Sequence, residues 1–343
     1  MSKKVKLLIK GPALSASGYG EHCRFLIRSL IKNQLCDLYV DNIKWGNLGF
    51  DLSVYDEIPE LHNIINNTRS YIATGKASFD ISVQVTIPNE FQKLSPYNVG
   101  VTAGIEVDRV TEQWITKCNE MDKIITISEH SKKTLENTIR KVENKIVTLK
   151  TPVSVVPYPV LETKIESINL ELSTEFNFLV FSLMGVRKNL ENTIVWFLEE
   201  FKNDPVGLVV KTAFINGTIR DKRETEKYLK KVVDSVPGEK KCKIYLLHGR
   251  LSTSEKNSLY NHEKIKCLIS LSHGEGFGLP LFEAAYNGLP IIAPNWSGHV
   301  DFLNHEVKDK KGKLKNKSLF SKVEYEMFPV QKSAVWEGVI SDD

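Results

Sequence analysis

The sequence has no long apolar segment. No run in its 343 residues approaches the roughly 20 apolar residues that cross a bilayer as a helix. Near the N-terminus the apolar run extends only from Val5 to Ile9 and is interrupted by Lys6, which predicts a strand rather than a signal peptide. We therefore expect a protein without a transmembrane segment, located in the cytoplasm.

The patterns of cysteine and histidine that build disulfides or metal centres are also missing. No C-x-x-C pair occurs, and the eight histidines show no metal-ligand spacing. We interpret the cysteines as reduced core residues of an intracellular protein, and we expect no metal and no other cofactor. They are odd in number and widely spaced: Cys23, Cys36, Cys118, Cys242 and Cys267.

A strong charge of either sign, internal repeats and low-complexity tracts are absent as well. The net charge of +4 is too small to indicate nucleic-acid binding by itself, so we expect no nucleic-acid partner. It is compatible with an anionic ligand or with a peripheral membrane contact. With 41% apolar and 26% charged residues, the chain is globular, and its length suits two domains.

What the sequence does contain is a regular alternation of strands and helices. Strands are predicted over 5–9, 36–40, 80–86, 98–103, 123–127, 153–156, 176–182, 206–212, 243–247, 267–271 and 289–293. Helical patterns lie between many of them, one capped by Ser128 and one by the Ser252–Glu255 capping box. This alternation predicts an α/β fold with parallel sheets.

Prolines mark a boundary near the middle of the chain. Pro152, Pro157 and Pro159 precede a polar stretch that runs to Glu175. We predict three segments: a Rossmann-like N-terminal domain over 1–155, a linker over 156–175 and a Rossmann-like C-terminal domain over 176–343.

The most informative stretch lies between the last two predicted strands. Three alternating glycines, Gly274, Gly276 and Gly278, allow a ligand to approach the backbone closely. A helix follows, since Pro280 suits its first position and Gly288 suits the residue past its end. A glycine loop that leads into a helix N-terminus binds anions through free N–H groups and the helix dipole.

Two carboxylates flank this loop. Glu275 lies within it and Glu283 lies in the helix, with seven residues between them. Each alone is most simply a loop charge or a helix-stabilising acid. Together, beside a phosphate-binding loop, they suit a ligand that has sugar hydroxyls on both sides of a diphosphate.

This stretch resembles the E-x7-E motif of retaining glycosyltransferases of the GT-B fold, family 4. The resemblance is strong over 265–303, moderate over 176–211 and weak over 1–150. It implies two Rossmann-like domains that face each other across a cleft, with the donor sugar held by Glu275 and the nucleotide ribose by Glu283. The backbone of Gly276, Phe277, Gly278 and Leu279 would hold the diphosphate.

A second loop carries two cations. Arg187 and Lys188 follow a predicted strand and precede a helix, and both can bind phosphate oxygens. By the resemblance, Lys188 matches the family's diphosphate-binding lysine, and Arg187 substitutes for an arginine whose place falls near Ser182. Lys211, at the end of a strand, completes the cationic set.

The strand over 243–247 leads into a loop that the family uses to meet the nucleotide base. The donor-binding set therefore includes Arg250 and Leu251 of this loop.

The first domain opens with another glycine loop, which contains Gly18 and Gly20. In the family such a loop reaches towards the donor phosphates. The dinucleotide fingerprint needs a third glycine where this chain has Cys23, yet Asp41 lies at a plausible ribose distance. The residues alone therefore leave a nicotinamide-dinucleotide site and a simple turn open.

Acceptor-side residues are harder to assign. Many family members carry a histidine after a strand like 81–86, whereas this chain has Gln84 to Glu90 there. Glu106 and Asp108 resemble acids of some relatives, and we place them with Glu275 as the catalytic candidates. The family's last helix, which returns to the N-terminal domain, is expected to be missing or rebuilt because the chain stops at Asp343.

These features predict a retaining, metal-independent glycosyltransferase. It would move a sugar from a nucleotide-diphosphate sugar to a glycan, lipid or protein acceptor. The alternatives are a GT-B sugar-nucleotide epimerase or hydrolase, an inactive nucleotide-sugar-binding protein and, third, a nicotinamide-dependent oxidoreductase.

Overall fold

The protein is described here by a computed structural model that covers residues 4–341, except for 47, 144, 163, 167 and 216. The backbone packs into two compact units. Unit 1 comprises Met1–Pro159 and Val330–Asp343, and unit 2 comprises Val160–Pro329.

Unit 1 is built on a parallel sheet. Its strands are β1 (Lys6–Gly11), β2 (Asp37–Asn42), β3 (Ile81–Val85), β4 (Tyr97–Val101), β5 (Lys123–Thr126), β6 (Arg140–Val142), β7 (Lys145–Val147) and β8 (Val153–Val155). Its α-helices are α1 (Gly18–Asn33), α2 (Val54–Glu57), α3 (Glu60–Ala73), α4 (Glu112–Cys118) and α5 (Glu129–Asn137). Among the described residues, the parallel sheet has the order β2-β1-β3-β4-β5-β8, while β6 and β7 form a separate antiparallel pair.

Apolar faces of the helices cover the sheet of unit 1. The helix α1 begins where Ser17 Oγ accepts from the Gly20 N–H at 3.1 Å, and its residues Cys23 and Ile27 are fully buried against Ile9 and Val85. On the other side, Trp114 and Ile115 of α4 are buried in a cluster with Ile124. A sheet covered on both faces needs strands rich in apolar residues, which explains the short continuous apolar runs of the sequence.

Unit 2 repeats the plan. Its strands are β9 (Phe176–Phe181), β10 (Val206–Lys211), β11 (Lys243–Leu247), β12 (Ile265–Ile269), β13 (Ile291–Pro294), β14 (Asn304–Lys308), β15 (Leu314–Ser318) and β16 (Ser321–Val323). Its α-helices are α6 (Leu190–Phe201), α7 (Ile219–Ser235), α8 (Thr253–Tyr260), α9 (Leu279–Tyr286) and α10 (Val300–Leu303).

The parallel sheet of unit 2 has the order β11-β10-β9-β12-β13-β16 within the described residues. When the six strands of this sheet are numbered by their order in the chain, their order across the sheet is third, second, first, fourth, fifth and sixth. This is the arrangement of a Rossmann sheet. Apolar clusters cover both faces, one around Ile194 and Leu198 of α6 and one around Leu281 and Ala284 of α9. The prediction of two Rossmann-like α/β domains is therefore confirmed.

The segment predicted as a linker lies mostly against unit 2. Ile168, Leu170 and Leu172 pack on the apolar cluster that contains Leu281. The Glu166 N–H also donates to Ser258 Oγ at 2.8 Å. The division between the units falls at Pro159, earlier than the predicted start of the C-terminal domain at 176, because these apolar side chains bury against unit 2.

The C-terminal segment belongs to unit 1 rather than to the domain in which the sequence placed it. Val339 is buried in the cluster around Trp114, and Thr111 Oγ1 donates to the Gly338 carbonyl at 2.9 Å. Its described part contains a short 3-10 helix, Lys332–Ala334, and no α-helix. Across the described residues, no helix combines the length and apolar character required to span a membrane.

Candidate functional site

The strand order of unit 2 creates a switch point between β9 and β12. The chain leaves β9 towards one side of the sheet and β12 towards the other, so the loops after these two strands diverge. In open α/β sheets the crevice at such a point, at the carboxyl ends of the strands, is where ligands bind. The loop after β9 carries Arg187 and Lys188, and the loop after β12 carries Glu275.

The two loops are tied together by two hydrogen bonds to backbone carbonyl groups. A 3-10 helix, Val186–Lys188, follows β9, and Asn189 then adopts a left-handed conformation before α6. Asn189 Nδ2 donates to the Leu271 carbonyl at 3.1 Å, and the His273 N–H donates to the Arg187 carbonyl at 2.8 Å. The basic loop is therefore held beside the glycine loop.

Glu275 is the electrostatic centre of this arrangement. Its Oε1 accepts from Lys188 Nζ at 2.6 Å and from Ser272 Oγ at 2.8 Å. Arg187 Nη1 lies 3.4 Å from Oε2 and donates to the Gly274 carbonyl at 2.8 Å. The side chain is 10% exposed, so water screens these interactions weakly.

The charge of Glu275 is strongly favoured. Burial raises the pKa of its carboxyl group, but the opposing charges of Lys188 and Arg187 outweigh burial and bring the pKa to about 2. The carboxylate is therefore ionised at neutral pH and acts as a hydrogen-bond acceptor rather than as an acid.

The loop after β13 is hydrogen-bonded to the glycine loop. Ser297 Oγ accepts from the Glu275 N–H at 2.9 Å, and the Gly298 N–H donates to the Glu275 carbonyl at 2.8 Å. A Cβ on Gly298 would lie 2.0 Å from the Gly276 carbonyl oxygen, a distance that no real side chain tolerates. Only glycine allows the two loops to approach this closely.

The glycine loop ends in a left-handed residue. Gly278 has φ 86°, and α9 begins at the next residue, Leu279. Phe277 is buried, with its ring centre 5.1 Å from that of Phe282 and 5.0 Å from that of Phe302, so its ring belongs to the apolar packing of the loop. Gly274 to Gly278 are buried, while the first turn of α9 presents N–H groups that have no partner within the helix.

Glu283 is held by the neighbouring helix. Its Oε1 accepts from Lys256 Nζ at 2.7 Å and its Oε2 accepts from Tyr260 OH at 3.0 Å. Burial raises the pKa of Tyr260 well above its usual value, so the phenol stays protonated and its O–H donates a hydrogen bond to the carboxylate. The predicted capping box starts this helix, with Ser252 Oγ and the Glu255 side chain both bonded as expected.

Lys211 lies at the carboxyl end of β10. Its Nζ donates to the Gly249 carbonyl and lies 5.4 Å from the centre of the Phe181 ring. Burial lowers the pKa of this lysine to about 8. In the loop that begins at His248, Arg250 is exposed and Leu251 is half-buried against the apolar core.

A buried acid–histidine pair fixes the same loop. His248 Nε2 and Asp221 Oδ2 are 2.7 Å apart, with side chains only 4% and 8% exposed. Asp221 Oδ1 also accepts from the Ile215 N–H at 3.0 Å. The loops after β10 and β11 are thus both fastened to the first turn of α7.

In the described part of unit 2, three buried polar atoms that follow strands have no hydrogen-bond partner. They are Ser182 Oγ after β9, Thr212 Oγ1 after β10 and His299 Nδ1 after β13. The other ring nitrogen of His299, Nε2, lies 2.7 Å from the Pro294 carbonyl. Buried polar groups without partners are uncommon in proteins, and at the binding edge of a sheet they are ready to bond a ligand.

The remaining predicted residues lie in unit 1. Gly18 is exposed at the start of α1, whereas a Cβ on Gly20 would lie 2.0 Å from the Ser15 carbonyl oxygen. Glu106 is half-buried after β4. Asp108 is exposed, with Oδ2 3.7 Å from Arg109 Nε.

Aromatic rings lie at the same edge of unit 1. Tyr19 OH is 2.9 Å from Thr102 Oγ1, and its ring centre is 4.4 Å from that of Trp45. Burial, and then the charges of Glu106 and Glu90, raise the pKa of Tyr19. The charge of Glu106 therefore acts on Tyr19, whereas Asp108 is exposed to solvent and faces Arg109.

A comparison with known protein families gives one match. Residues 198–320 match the family model described as Glycosyl transferases group 1. The matched region contains β10 to β15 and both glutamates of the E-x7-E motif. Over these residues the chain is similar to the group 1 glycosyltransferases, and its enzyme class is that of a glycosyltransferase.

Solved structures show the fold of this glycosyltransferase. Sucrose-phosphate synthase from Thermosynechococcus elongatus is 14% identical with a TM-score of 0.56, and 87% of this chain aligns with 82% of that one. OtsA is 10% identical with a TM-score of 0.52, covering 87% of this chain and 86% of the other. The lipopolysaccharide outer core galactosyltransferase WaaB is 13% identical with a TM-score of 0.50, and 87% of this chain aligns with 82% of that one. The glycosyltransferase therefore has the GT-B fold, and comparison with curated protein sequences finds no match.

The sequence alone did not point to several residues that surround Glu275 and the loop after β11. Ser272, Ser297 and Gly298 bind Glu275 or its loop, and Asp221 and His248 fix the loop after β11. The only sequence signal for them was their position after predicted strands. In the part of the chain that the structure covers, no three His, Cys, Asp or Glu side chains gather as a metal site, and metal independence stays a prediction.

Proposed function

We propose that this glycosyltransferase transfers a sugar from a nucleotide-diphosphate sugar, with retention of anomeric configuration and without a metal ion. The observation that supports this most strongly is Glu275, a buried, ionised carboxylate that touches both Lys188 and Arg187 beside the N-terminus of α9. Acceptor groups for sugar hydroxyls and donor groups for a diphosphate are thereby placed within one small site.

The cations would bind the diphosphate. Glu275 occupies one of the three N–H bonds of Lys188, so this ammonium can still donate to a phosphate oxygen. The planar guanidinium of Arg187, which contacts Gly274 and Glu275, can bind phosphate oxygens through paired N–H donors. The first-turn N–H groups of α9 add the positive end of the helix dipole.

Glu275 would orient the sugar. Among the described contacts its Oε2 has only the long one to Arg187 at 3.4 Å, so it retains lone pairs for a sugar hydroxyl. The contacts with Lys188 and Ser272 fix the side chain, and the bond from the Glu275 N–H to Ser297 fixes its backbone, before any ligand arrives. A carboxylate held in this way positions the anomeric carbon without having to reorganise.

The nucleoside end would lie between α9 and the loop after β11. Glu283, oriented by Lys256 and Tyr260, would accept from the ribose hydroxyls. The backbone near Arg250 and Leu251 would meet the base, in a loop fixed by His248 and Lys211. Ser182 and Thr212 offer hydroxyls that have no other partner in the described structure.

In the reaction, the bond between the anomeric carbon and the diphosphate oxygen breaks. The acceptor hydroxyl forms a new bond to the same carbon from the same face, and its proton passes to the departing diphosphate oxygen. Lys188, Arg187 and the α9 N–H groups stabilise the charge that develops on the diphosphate, the role that a metal ion has in other enzymes.

The acceptor is expected to bind through unit 1. A glycan, a lipid or a protein side chain can each supply the required hydroxyl. Of the two catalytic candidates in this unit, Glu106 is favoured over Asp108 because its charge acts on Tyr19 and it is partly shielded from water.

The test has two stages. A thermal-shift screen against UDP, GDP, ADP and their sugars first identifies the donor, since a ligand that binds only the folded state raises the melting temperature. NMR of the product formed with an isotope-labelled donor and mixed acceptors then gives its anomeric configuration. We expect the configuration of the donor to be kept and the rate to be unchanged by a metal chelator.

Each outcome bears on a different part of the proposal. Inverted configuration would contradict the retaining mechanism, and loss of turnover on chelation would contradict metal independence. Free sugar formed at the same rate with and without acceptors would instead indicate a hydrolase.

A further inference from the structure

The strands β14 and β15 form an antiparallel hairpin, residues 304–318, which we call the lysine hairpin. It contains six lysines and two acidic residues, Glu306 and Asp309, and so has a net charge of +4. The net charge of the whole chain is also +4, which means that the other residues are balanced. The positive charge of this protein is thus concentrated in one small element.

The register of the hairpin groups its charges. His305 pairs with Lys317 and Val307 pairs with Lys315. Since side chains alternate between the faces of a strand, Lys315 and Lys317 point the same way. Lys310, Lys311 and Lys313 lie in the adjoining turn, and all residues from 310 to 319 are exposed.

The acidic residue of the turn, Asp309, is bound within the turn itself. Asp309 Oδ1 accepts from the Lys311 N–H at 2.9 Å and from the Lys313 N–H at 3.0 Å, and Gly312 takes the left-handed conformation that closes the turn. Asp309 Oδ2 lies 3.4 Å from Lys315 Nζ. Asp309 therefore contacts backbone N–H groups and the side chain of Lys315, and the exposed charge of the turn is positive.

Apolar side chains accompany the lysines. Leu314 is 54% exposed between two lysines, and Leu319, directly after the hairpin, is 50% exposed. Exposed leucines among lysines are typical of elements that rest in the interface of a bilayer, where the apolar side chains enter the acyl boundary and the ammonium groups meet lipid phosphates.

We propose that the lysine hairpin binds the surface of a bilayer that contains anionic phospholipids. Nucleic acid is the less suitable partner because residues 304–318 contain no arginine and no Phe, Tyr or Trp. Proteins that bind nucleic acid rely on arginine forks and on aromatic rings that stack on bases. Lysines accompanied by exposed leucines suit a bilayer surface instead, where lipid phosphates lie above the hydrocarbon chains.

This binding is separate from sugar transfer, because the hairpin contributes none of the residues proposed to hold the donor. It would anchor the enzyme peripherally, in a chain whose described helices do not span a membrane. A membrane-anchored enzyme meets acceptors at the bilayer surface at a raised local concentration.

The test is co-sedimentation of the full chain with vesicles of phosphatidylcholine alone or with about one third phosphatidylglycerol. The hairpin variant is Lys310→Gln/Lys311→Gln/Lys313→Gln, which keeps both Asp309 backbone contacts and the Lys315 pair. The matched control, Lys222→Gln/Lys227→Gln/Lys231→Gln, removes three exposed lysines from α7 and lowers the net charge equally.

We expect the unchanged chain to bind only the anionic vesicles, and added salt to weaken the binding. The hairpin variant should bind about tenfold more weakly or worse, and the control within about twofold of the unchanged chain. Equal loss in both variants, or equal binding to both vesicle types, would overturn the proposal. So would tight binding of the unchanged chain to RNA without binding to anionic vesicles. Leu314→Ser provides a second variant with no change in charge, and it should also bind the vesicles more weakly.

Discussion

Single residues determine how the donor site is charged. Glu275 is buried, yet it stays ionised because Lys188 and Arg187 compensate for the loss of water. The same two cations are the groups proposed to bind phosphate, so one carboxylate orders them before the ligand arrives. Such preorganisation reduces the entropy that binding would otherwise cost.

The pH dependence of unfolding tests the charge of Glu275. A folded-state pKa of about 2, against 4.5 for the free group, means that this carboxylate stabilises the fold above about pH 4.5 and loses that effect as the pH falls towards 2. We expect Glu275→Gln to lower the free energy of unfolding at neutral pH by on the order of 3 kcal/mol. Urea unfolding of both proteins as the pH falls should show the difference shrinking.

Glu255→Gln is the matched control, since Glu255 is an exposed helix-cap acid. It should change the free energy of unfolding by about 1 kcal/mol or less. A constant difference between the unchanged chain and Glu275→Gln at every pH would show that Glu275 is not held ionised by its neighbours.

Gly298 tests the contact between the two loops. In Gly298→Ala the new Cβ meets backbone rather than a movable side chain, so the loops must separate. We expect a loss of about 2 kcal/mol or more in the free energy of unfolding, measured with urea, because overpacking against backbone is not relieved by rotation. Gly185→Ala, where a Cβ meets nothing within 4 Å, should change it by about 0.5 kcal/mol or less. Equal effects would contradict the packing argument.

At the scale of elements, the loops of unit 2 are fixed by residues distant in sequence. The pair Asp221–His248 fastens the loop after β11 to α7, across 27 residues of chain. We expect Asp221→Asn to weaken the binding of a nucleoside diphosphate about tenfold, because the loop proposed to meet the base loses its fixed position. Calorimetric titration measures this change.

The control for that experiment lies on the same helix. Asp234 pairs with Lys230 at 2.7 Å, but both side chains are largely exposed. Asp234→Asn should leave affinity unchanged and alter the free energy of unfolding by less than about 1 kcal/mol. Equal affinities of the unchanged chain and Asp221→Asn would show that the buried pair does not position the nucleotide loop.

Local signals in the sequence predicted the elements well. Ser128 caps α5 and the Ser252–Glu255 box caps α8, as expected, since both depend on neighbours three residues away. Gly288, just past α9, has the positive φ that its position predicted. The helix α9 itself begins at Leu279, one residue before the predicted start at Pro280.

Contacts between distant segments could not be read in the same way. The E-x7-E motif indicated that Glu275 matters, but its bonds to Lys188 and Ser297 depend on which strands become neighbours. The predicted strands ended at 293, yet the lysine-rich stretch after Phe302 folds into a hairpin followed by β16, which joins the sheet. Strand order and pairing are set by the whole sheet, and no local pattern specifies them.

At the scale of the whole molecule, the fold repeats one plan twice and differs in its charges. Each unit is a parallel sheet covered by helices on both faces, and each has a switch point in its strand order. In unit 2 the loops at that point bring two cations to one carboxylate. In unit 1 the corresponding edge bears Tyr19, Trp45 and Glu106, which is why we assign the acceptor to that unit.

The central claim is that the β9–β12 edge of unit 2 binds the diphosphate of the donor. Calorimetric titration of the full chain with the nucleoside diphosphate found in the thermal-shift screen tests it most directly, on the unchanged protein, Lys188→Met and Lys227→Met. Lys188→Met should bind at least about tenfold more weakly because a charge-assisted phosphate contact is lost, and Lys227→Met, which changes an exposed lysine of α7, should bind as the unchanged protein does. Equal affinities for all three proteins would contradict the account.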